Sequence, residues 1–198
     1  MKTFIRSLIL GALTLGLTMM TSQPATAQVV EFVPAWTAAA STCAPDEGSL
    51  SKYAVSYGDF YFNGSAVSNP STLGPIPITV RCNVTNPLDV RGSEPANPNW
   101  DALIVGFQDP DGKASNAAAV TRLVRISRPT GAASIVASFN SNTDSVTTRH
   151  ERFVQFNASA LDFSKYEYFV EIYLYRASTA VASPRVYSVR LANVDVVE

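Results

Sequence analysis

The sequence contains one histidine, His150, so any Ser–His–acid or Cys–His mechanism would have to use it. It lies in the charged segment TTRHERF, whose pattern predicts an exposed strand. The G-x-S-x-G turn that presents a serine nucleophile does not occur in the sequence. We therefore interpret His150 as a surface residue and expect no nucleophilic hydrolase.

Asp109, Asp111 and Gly112 match the opening of an EF-hand calcium loop. Lys113 then stands at a ligand position and no acidic residue closes the loop, so the segment predicts a hairpin turn instead. A Cys/His zinc site is disfavoured by the single histidine and the two cysteines. We expect no metal and no cofactor, with calcium held by carboxylates of separate loops as the open alternative.

Glu167 and Glu171 lie on one face of a predicted strand. At about 3.3 Å per residue their Cα atoms are roughly 13 Å apart, which is too far for a glycosidase pair. Opposite charges that face each other across strands stabilise sheets, so we expect Arg190 or Arg176 as their partners. A hydrolase would instead depend on a single acid such as Asp101 or Glu171, and we predict that the protein is not an enzyme.

Three aromatic residues, Phe169, Tyr173 and Tyr175, lie on the same strand face as Glu171, and we place Arg190 near them. Rings on a flat strand face with hydrogen-bonding groups between them can stack on sugars or contact a protein. We predict a ligand-binding face at these five residues. The alternative is that a second layer covers the rings, in which case the binding site moves to the long loop 86–99.

The predicted element that carries this face is an aromatic-rich hairpin over Lys165–Leu191. Its first arm alternates with a period of two, which is typical of a strand with one face on a core. Shorter strand patterns, separated by turn residues, precede it along the chain. The pattern predicts an all-β fold, an antiparallel β-sandwich or jelly roll of about eight strands.

Residues 1–27 have the features of a signal peptide: Lys2 and Arg6, an apolar run, and the small-residue site Ala25-Thr26-Ala27. Residues 28–198 then form a single β-sandwich domain, exported to the periplasm or the medium, with no integral membrane span. Removing Lys2 and Arg6 from the 15 basic residues leaves 13 against 16 acidic residues, so no nucleic-acid partner is expected.

The two cysteines of this exported chain, Cys43 and Cys82, predict one disulfide bond. The bond would close a loop of about 40 residues, worth roughly 4 kcal/mol in the chain-entropy picture.

Several short motifs resemble those of uncharacterised secreted bacterial β-sandwich (jelly-roll-like) proteins. They are Cys43, Asn63-Gly64-Ser65, Gly74-Pro75-Ile76-Pro77, Tyr168-Phe169-Val170 and Arg185-Val186-Tyr187-Ser188-Val189-Arg190. The resemblance implies the fold and the export, and it implies no activity.

The sequence favours a non-catalytic binding module whose partner is a glycan or a component of the cell envelope. The alternative is an assembly subunit of a surface structure, similar to pilus subunits that donate an N-terminal strand. The donor segment would then be residues 28–40, which Pro34 interrupts. A hydrolase is the third hypothesis.

Overall fold

A computed structural model describes residues 34–68, 77–88 and 97–194. The predicted signal peptide therefore lies outside the described residues, as do residues 28–33 and most of the loop 86–99. No helix within the three described ranges is long and apolar enough to cross a membrane.

The described residues form two antiparallel sheets that face each other, and this confirms the predicted β-sandwich. Eleven strands lie in these residues: β1 (Trp36–Ala39), β2 (Ala44–Pro45), β3 (Tyr53–Ser56), β4 (Asp59–Phe62), β5 (Ile78–Val84), β6 (Ala102–Gln108), β7 (Ala117–Ser127), β8 (Ala133–Asn140), β9 (His150–Gln155), β10 (Tyr166–Arg176) and β11 (Arg185–Ala192). The six-stranded sheet has the order β3-β4-β11-β6-β9, and β1 also pairs with β11. The five-stranded sheet has the order β2-β5-β10-β7-β8.

The predicted hairpin over Lys165–Leu191 is wrong, because β10 and β11 belong to different sheets. The connection between them is organised by Arg176, which is buried and donates hydrogen bonds to the carbonyl oxygens of Gly64, Thr179 and Val181 (2.7 to 3.2 Å). The connecting segment thus folds around the Arg176 guanidinium. It then crosses to the opposite sheet instead of turning back beside β10.

The alternation predicted for β10 is confirmed, although the predicted pairing of β10 with β11 is wrong. Tyr168, Val170, Ile172 and Leu174 are buried between the sheets. They pack in one core with large side chains of both sheets, among them Phe60, Phe62, Leu103, Phe107, Leu123 and Leu191, and with Trp100. Burial of this apolar surface is the main stabilising contribution to such a fold.

The aromatic segment 52–62, whose composition alone predicts one strand, is a hairpin of β3 and β4. Tyr57 and Gly58 both have positive φ (49° and 94°), which is the backbone of a two-residue hairpin turn. Together with the short strands β1 and β2, this division accounts for the three strands beyond the eight that the sequence predicted.

The predicted disulfide between Cys43 and Cys82 is confirmed, with 4.5 Å between the Cα atoms. Cys43 follows β1, which pairs within the six-stranded sheet, whereas Cys82 lies on β5 of the five-stranded sheet. Cys43 also directly precedes β2, which pairs with β5, so the bond joins two neighbouring segments of the five-stranded sheet just after the chain arrives from β1.

Candidate functional site

The outer surface of the five-stranded sheet carries four of the five predicted ligand-binding residues. Because Val170, Ile172 and Leu174 point into the core, the alternating residues Phe169, Glu171, Tyr173 and Tyr175 lie on the opposite, outer side. We call this surface the β10 face. The three aromatic residues are half-buried and Glu171 is 7% exposed.

Strand register places side chains of β5, β7 and β8 beside those of β10 in rows across the sheet. One row is largely apolar: Asn83, Phe169, Val124 and Ile135. The next row is charged and polar: Arg81, Glu171, Arg122 and Ser138. The third row is mixed: Thr79, Tyr173, Val120 and Asn140. Ile135 is 55% exposed at the edge of the apolar row, so that end of the row is open to solvent.

Glu171 is held between two neighbours on the β10 face. Arg81 donates to Glu171 Oε1 from Nε (2.8 Å) and lies within 2.7 Å of the same oxygen through Nη2. The Tyr173 hydroxyl donates to Glu171 Oε2. Both carboxylate oxygens thus have partners, and the Arg81 side chain remains 47% exposed.

Arg122 occupies the other side of Glu171 but does not bond to it among the described contacts. Its guanidinium carbon lies 5.0 Å from the centre of the Tyr173 ring, within the range of a cation–π contact. Its Nε is buried and has no hydrogen-bond partner in the described part of the chain. Two guanidinium groups against one carboxylate leave one uncompensated positive charge in this row.

The tyrosine hydroxyls of the β10 face remain protonated at neutral pH. Burial, together with the hydrogen bond to Glu171 and the charge of that carboxylate, raises the pKa of Tyr173 to about 12. Burial also raises the pKa of Tyr175. Neutral phenols beside hydrogen-bonding groups suit recognition of polar ligands and supply no base for catalysis.

Two clefts adjoin the β10 face. One, of about 370 Å³, is lined by Arg81 and Asn83 from the face and by Trp36 and the disulfide. The other, of about 530 Å³, lies where β10 begins, and Asn86, Arg128 and Glu167 contribute to its wall. The second cleft is next to the loop that the sequence offered as the alternative site.

Arg190, the fifth predicted ligand-binding residue, does not lie on the β10 face. It pairs with Ile104 and Thr37 in the six-stranded sheet, on the other side of the sandwich. The expected pairing of Arg190 or Arg176 with the two glutamates is therefore wrong: Glu171 pairs with Arg81, and Glu167 pairs with Arg128 at 3.1 Å.

His150 is not the surface residue that its charged neighbours predicted. Its side chain is 14% exposed, its Nε2 lies 3.1 Å from Asp144 Oδ2, and its ring centre lies 4.4 Å from that of Phe107. Its Nδ1 lies 2.8 Å from the carbonyl oxygen of Thr148. These partners position the start of β9, and none of them is a serine or cysteine nucleophile.

The candidate acids elsewhere have structural partners. Asp101 Oδ1 accepts a hydrogen bond from the Val194 amide (2.8 Å), next to the end of β11. Asp109 and Asp111 form a turn after β6, with Gly112 at a φ of 61°. The predicted hairpin is wrong, because β6 and β7 belong to different sheets. Within the ranges the structure describes, no three His, Cys, Asp or Glu residues converge as metal ligands would.

The sequence did not indicate four residues that lie on or beside the β10 face: Arg81, Asn83, Arg122 and Trp36. The alternation of apolar and polar residues over 76–85 predicts that Arg81 and Asn83 lie on the outer side of their strand, but it does not connect them with Glu171. Nothing in a sequence states that β5 and β7 flank β10, so the row around Glu171 emerges only from the register.

No family model matches the chain. No curated protein sequence is significantly similar to it.

Solved structures with similar arrangements are known. A xylan-binding module CBM15 is 12% identical at a TM-score of 0.46, with 81% of this chain and 97% of that chain covered. A xylanase 10C mutant from Cellvibrio japonicus in complex with xylopentaose is 13% identical at a TM-score of 0.37, with 82% and 28% covered. A non-crystalline cellulose specific carbohydrate-binding module, CBM28, is 12% identical at a TM-score of 0.28, with 65% and 78% covered. Likenesses this distant do not decide what a protein binds.

Proposed function

We propose that the protein is a non-catalytic module that binds glycan through the β10 face. The observation that carries the proposal is the row structure of that face: half-buried rings at Phe169, Tyr173 and Tyr175 flank the paired side chains of Arg81 and Glu171. Aromatic rings offer apolar area to the faces of sugar rings, and polar groups beside them bond to the hydroxyls.

The rigidity of the face favours recognition. Its side chains project from the three central paired strands of the sheet, β5, β10 and β7, and Glu171 is fixed by two partners. Side chains that are already ordered lose little conformational entropy when a ligand binds. Most of the conformational entropy lost on binding is then lost by the ligand, for example a flexible oligosaccharide.

The arrangement does not favour catalysis. Glu171 is committed to Arg81 and Tyr173, while Glu167 pairs with Arg128 at the end of the strand. His150 lies in the six-stranded sheet, so it is not on the same surface as these glutamates. No pair of described carboxyl groups on the β10 face is placed as acid and nucleophile.

The disulfide supports the proposed export, since such bonds persist in oxidising compartments. The role of an assembly subunit has less support. Trp36–Ala39, part of the segment that would be donated to a neighbour, already pairs with β11 of its own chain.

Co-sedimentation of residues 28–198 with insoluble polysaccharides and with cell-wall material tests the proposal. Replacing Tyr173 and Tyr175 together by alanine removes two of the three rings. We expect affinity to fall by about tenfold or more, because truncated aromatic anchors typically cost at least 1–2 kcal/mol.

Tyr57→Ala is the matched control. Tyr57 is fully exposed (102%) at the turn of the β3–β4 hairpin in the other sheet, so the same change of residue type occurs away from the β10 face. Equal binding by the wild type and the double variant, with both folded by circular dichroism, would remove the β10 face as the binding site. Failure of the wild type to bind any glycan would overturn the function itself.

A further inference from the structure

We infer that the β10 face selects glycans that carry carboxylate groups, with Arg122 as the residue that binds the acid. The inference rests on the proposed function and adds the chemical class of the ligand. It starts from the charges of the row Arg81–Glu171–Arg122, in which one carboxylate faces two guanidinium groups.

The two arginines differ in what they already bind. Arg81 is engaged by Glu171 through two nitrogens at 2.7 and 2.8 Å. The remaining oxygen of Glu171 is occupied by the Tyr173 hydroxyl. Arg122 makes no bond to Glu171 among the described contacts, although the register places the two residues directly opposite each other.

Arg122 is left charged, ordered and without an anionic partner among the described residues. It lies against the Tyr173 ring, and its buried Nε has no acceptor. An arginine fork binds a carboxylate through two parallel N–H donors, and such charge-assisted bonds are stronger than neutral ones. A ligand carboxylate at the outer nitrogens of the guanidinium would supply the anionic partner that the protein does not.

The surroundings of Arg122 fit a sugar acid better than a small free anion. Val120 and Val124 flank Arg122 along β7, and Tyr173 and Phe169 lie beside those valines on β10. A ring placed on this apolar surface keeps its carboxylate over the guanidinium, whereas a free inorganic anion gains nothing from the rings.

The test compares one polymer with and without its carboxylates. Polygalacturonate and the same polymer after carboxyl reduction are bound to residues 28–198 by affinity electrophoresis, at low and at high salt, and alginate with its reduced form serves as a second pair. We expect the wild type to bind the acidic forms at least about tenfold more tightly, and the preference to shrink as salt rises.

Arg122→Gln should abolish this preference, so that the variant binds the acidic and the reduced polymers equally. Arg122→Lys should keep part of it, since lysine retains the charge but loses the fork. Arg125→Gln is the matched control: Arg125 also stacks on a tyrosine (4.7 Å from the Tyr166 ring), but it points to the opposite side of β7. Its preference should equal that of the wild type.

The outcomes separate the two proposals. Equal binding of acidic and reduced polymers by the wild type, or a preference that survives in Arg122→Gln, overturns the inference and leaves glycan binding in place. Binding of no polymer of either kind overturns the inference, and the co-sedimentation with insoluble polysaccharides and cell-wall material then decides the proposed function.

Discussion

The buried carboxyl of Asp109 should make the protein less stable as the pH rises from about 4 to about 7. Asp109 follows β6 and is 0% exposed. Burial is the largest influence and raises its pKa. A hydrogen bond to the Asp111 carboxyl and the negative charge of Asp111 raise the pKa further, whereas the hydrogen bond from Ser141 lowers it. Together they raise the pKa of Asp109 from 3.8 to about 7.

The hydrogen bonds indicate where the proton lies. The Ser141 hydroxyl accepts from the Ala119 amide (2.8 Å) and donates its own hydrogen to Asp109 Oδ2. A proton on Asp109 must therefore point elsewhere, and the carboxylate of Asp111 is the neighbouring acceptor. Asp111 Oδ2 accepts two backbone hydrogen bonds, and its buried Oδ1 has no hydrogen-bond partner among the described residues. We therefore expect the two carboxyls to share one proton.

The direction of the effect follows from proton linkage. Between the pKa of the unfolded chain, 3.8, and that of the folded chain, about 7, the folded protein holds a proton that the unfolded chain has released. The free energy of unfolding then falls with rising pH, by at most about 1.4 kcal/mol per pH unit and at most about 4 kcal/mol in all. Above about pH 7 the slope from this group vanishes.

Other shifted carboxyls act outside this window. A backbone hydrogen bond from Val146 is the main cause that lowers the pKa of Asp144 to about 2, and a hydrogen bond from Lys165 is the main cause for Asp162, also about 2. Their contributions are complete above the ordinary pKa of 3.8 and are lost only as the pH falls towards 2. A titration that begins at pH 4.5 therefore isolates Asp109 from these two groups.

Asp109→Asn is the deciding variant, because the amide can accept from Ser141 and donate to Asp111 without titrating. Urea unfolding followed by tryptophan fluorescence from pH 4.5 to 8.5 should give nearly equal stabilities at pH 4.5 and a more stable variant at pH 8. Asp101→Asn is the control, and it should keep the slope of the wild type. A wild type whose stability does not fall between pH 4.5 and 7, or an Asp109→Asn variant with the same slope, would refute the shared proton.

Two further predictions concern the packing and cross-linking of the sandwich. Reducing the Cys43–Cys82 bond, which joins residues 39 positions apart, should lower the free energy of unfolding by about 4 kcal/mol, and an unchanged urea midpoint after reduction would contradict this. Gly106→Ala should cost about 1–3 kcal/mol, because its Cβ would lie 2.3 Å from both Ser188 Oγ and the Tyr187 ring. Adding Tyr187→Ala should recover part of that loss, and a Gly106→Ala variant as stable as the wild type would show that the sheet can shift.

The faces of the strands could be predicted from the sequence, whereas their neighbours could not. Alternation on β10 placed Val170 and Ile172 inside and Tyr173 outside, since residue spacing alone determines the side of a strand. The same pattern suggested a hairpin with β11 because those segments follow each other along the chain. The partner of a strand depends on contacts distant in sequence, here the bonds that Arg176 makes to Gly64 and to the crossing segment.

The composition of the β10 face was half predictable for the same reason. Its rings and Glu171 share one strand, so a period of two was enough to group them. Arg81 and Arg122 come from strands 90 and 49 residues upstream of Glu171, and only the register brings them to it. For His150 the burial predicted from the sequence was wrong. Its charged neighbours predicted an exposed side chain, yet its ring packs on Phe107 of the adjacent strand.

The Cys43–Cys82 disulfide also determines how the protein would carry tension. A pull at residue 34 first acts on β1, which can separate from β11 by breaking backbone hydrogen bonds. Extension then stops at Cys43, because the covalent bond passes the force to Cys82 on β5. Cys82 pairs with Val170, one residue from Phe169 and Glu171, so the load reaches the strand of the β10 face through β5 and bypasses the rest of the six-stranded sheet. A chain held at its N-terminal end and bound to a surface through the β10 face would therefore stay bound after β1 had separated from β11.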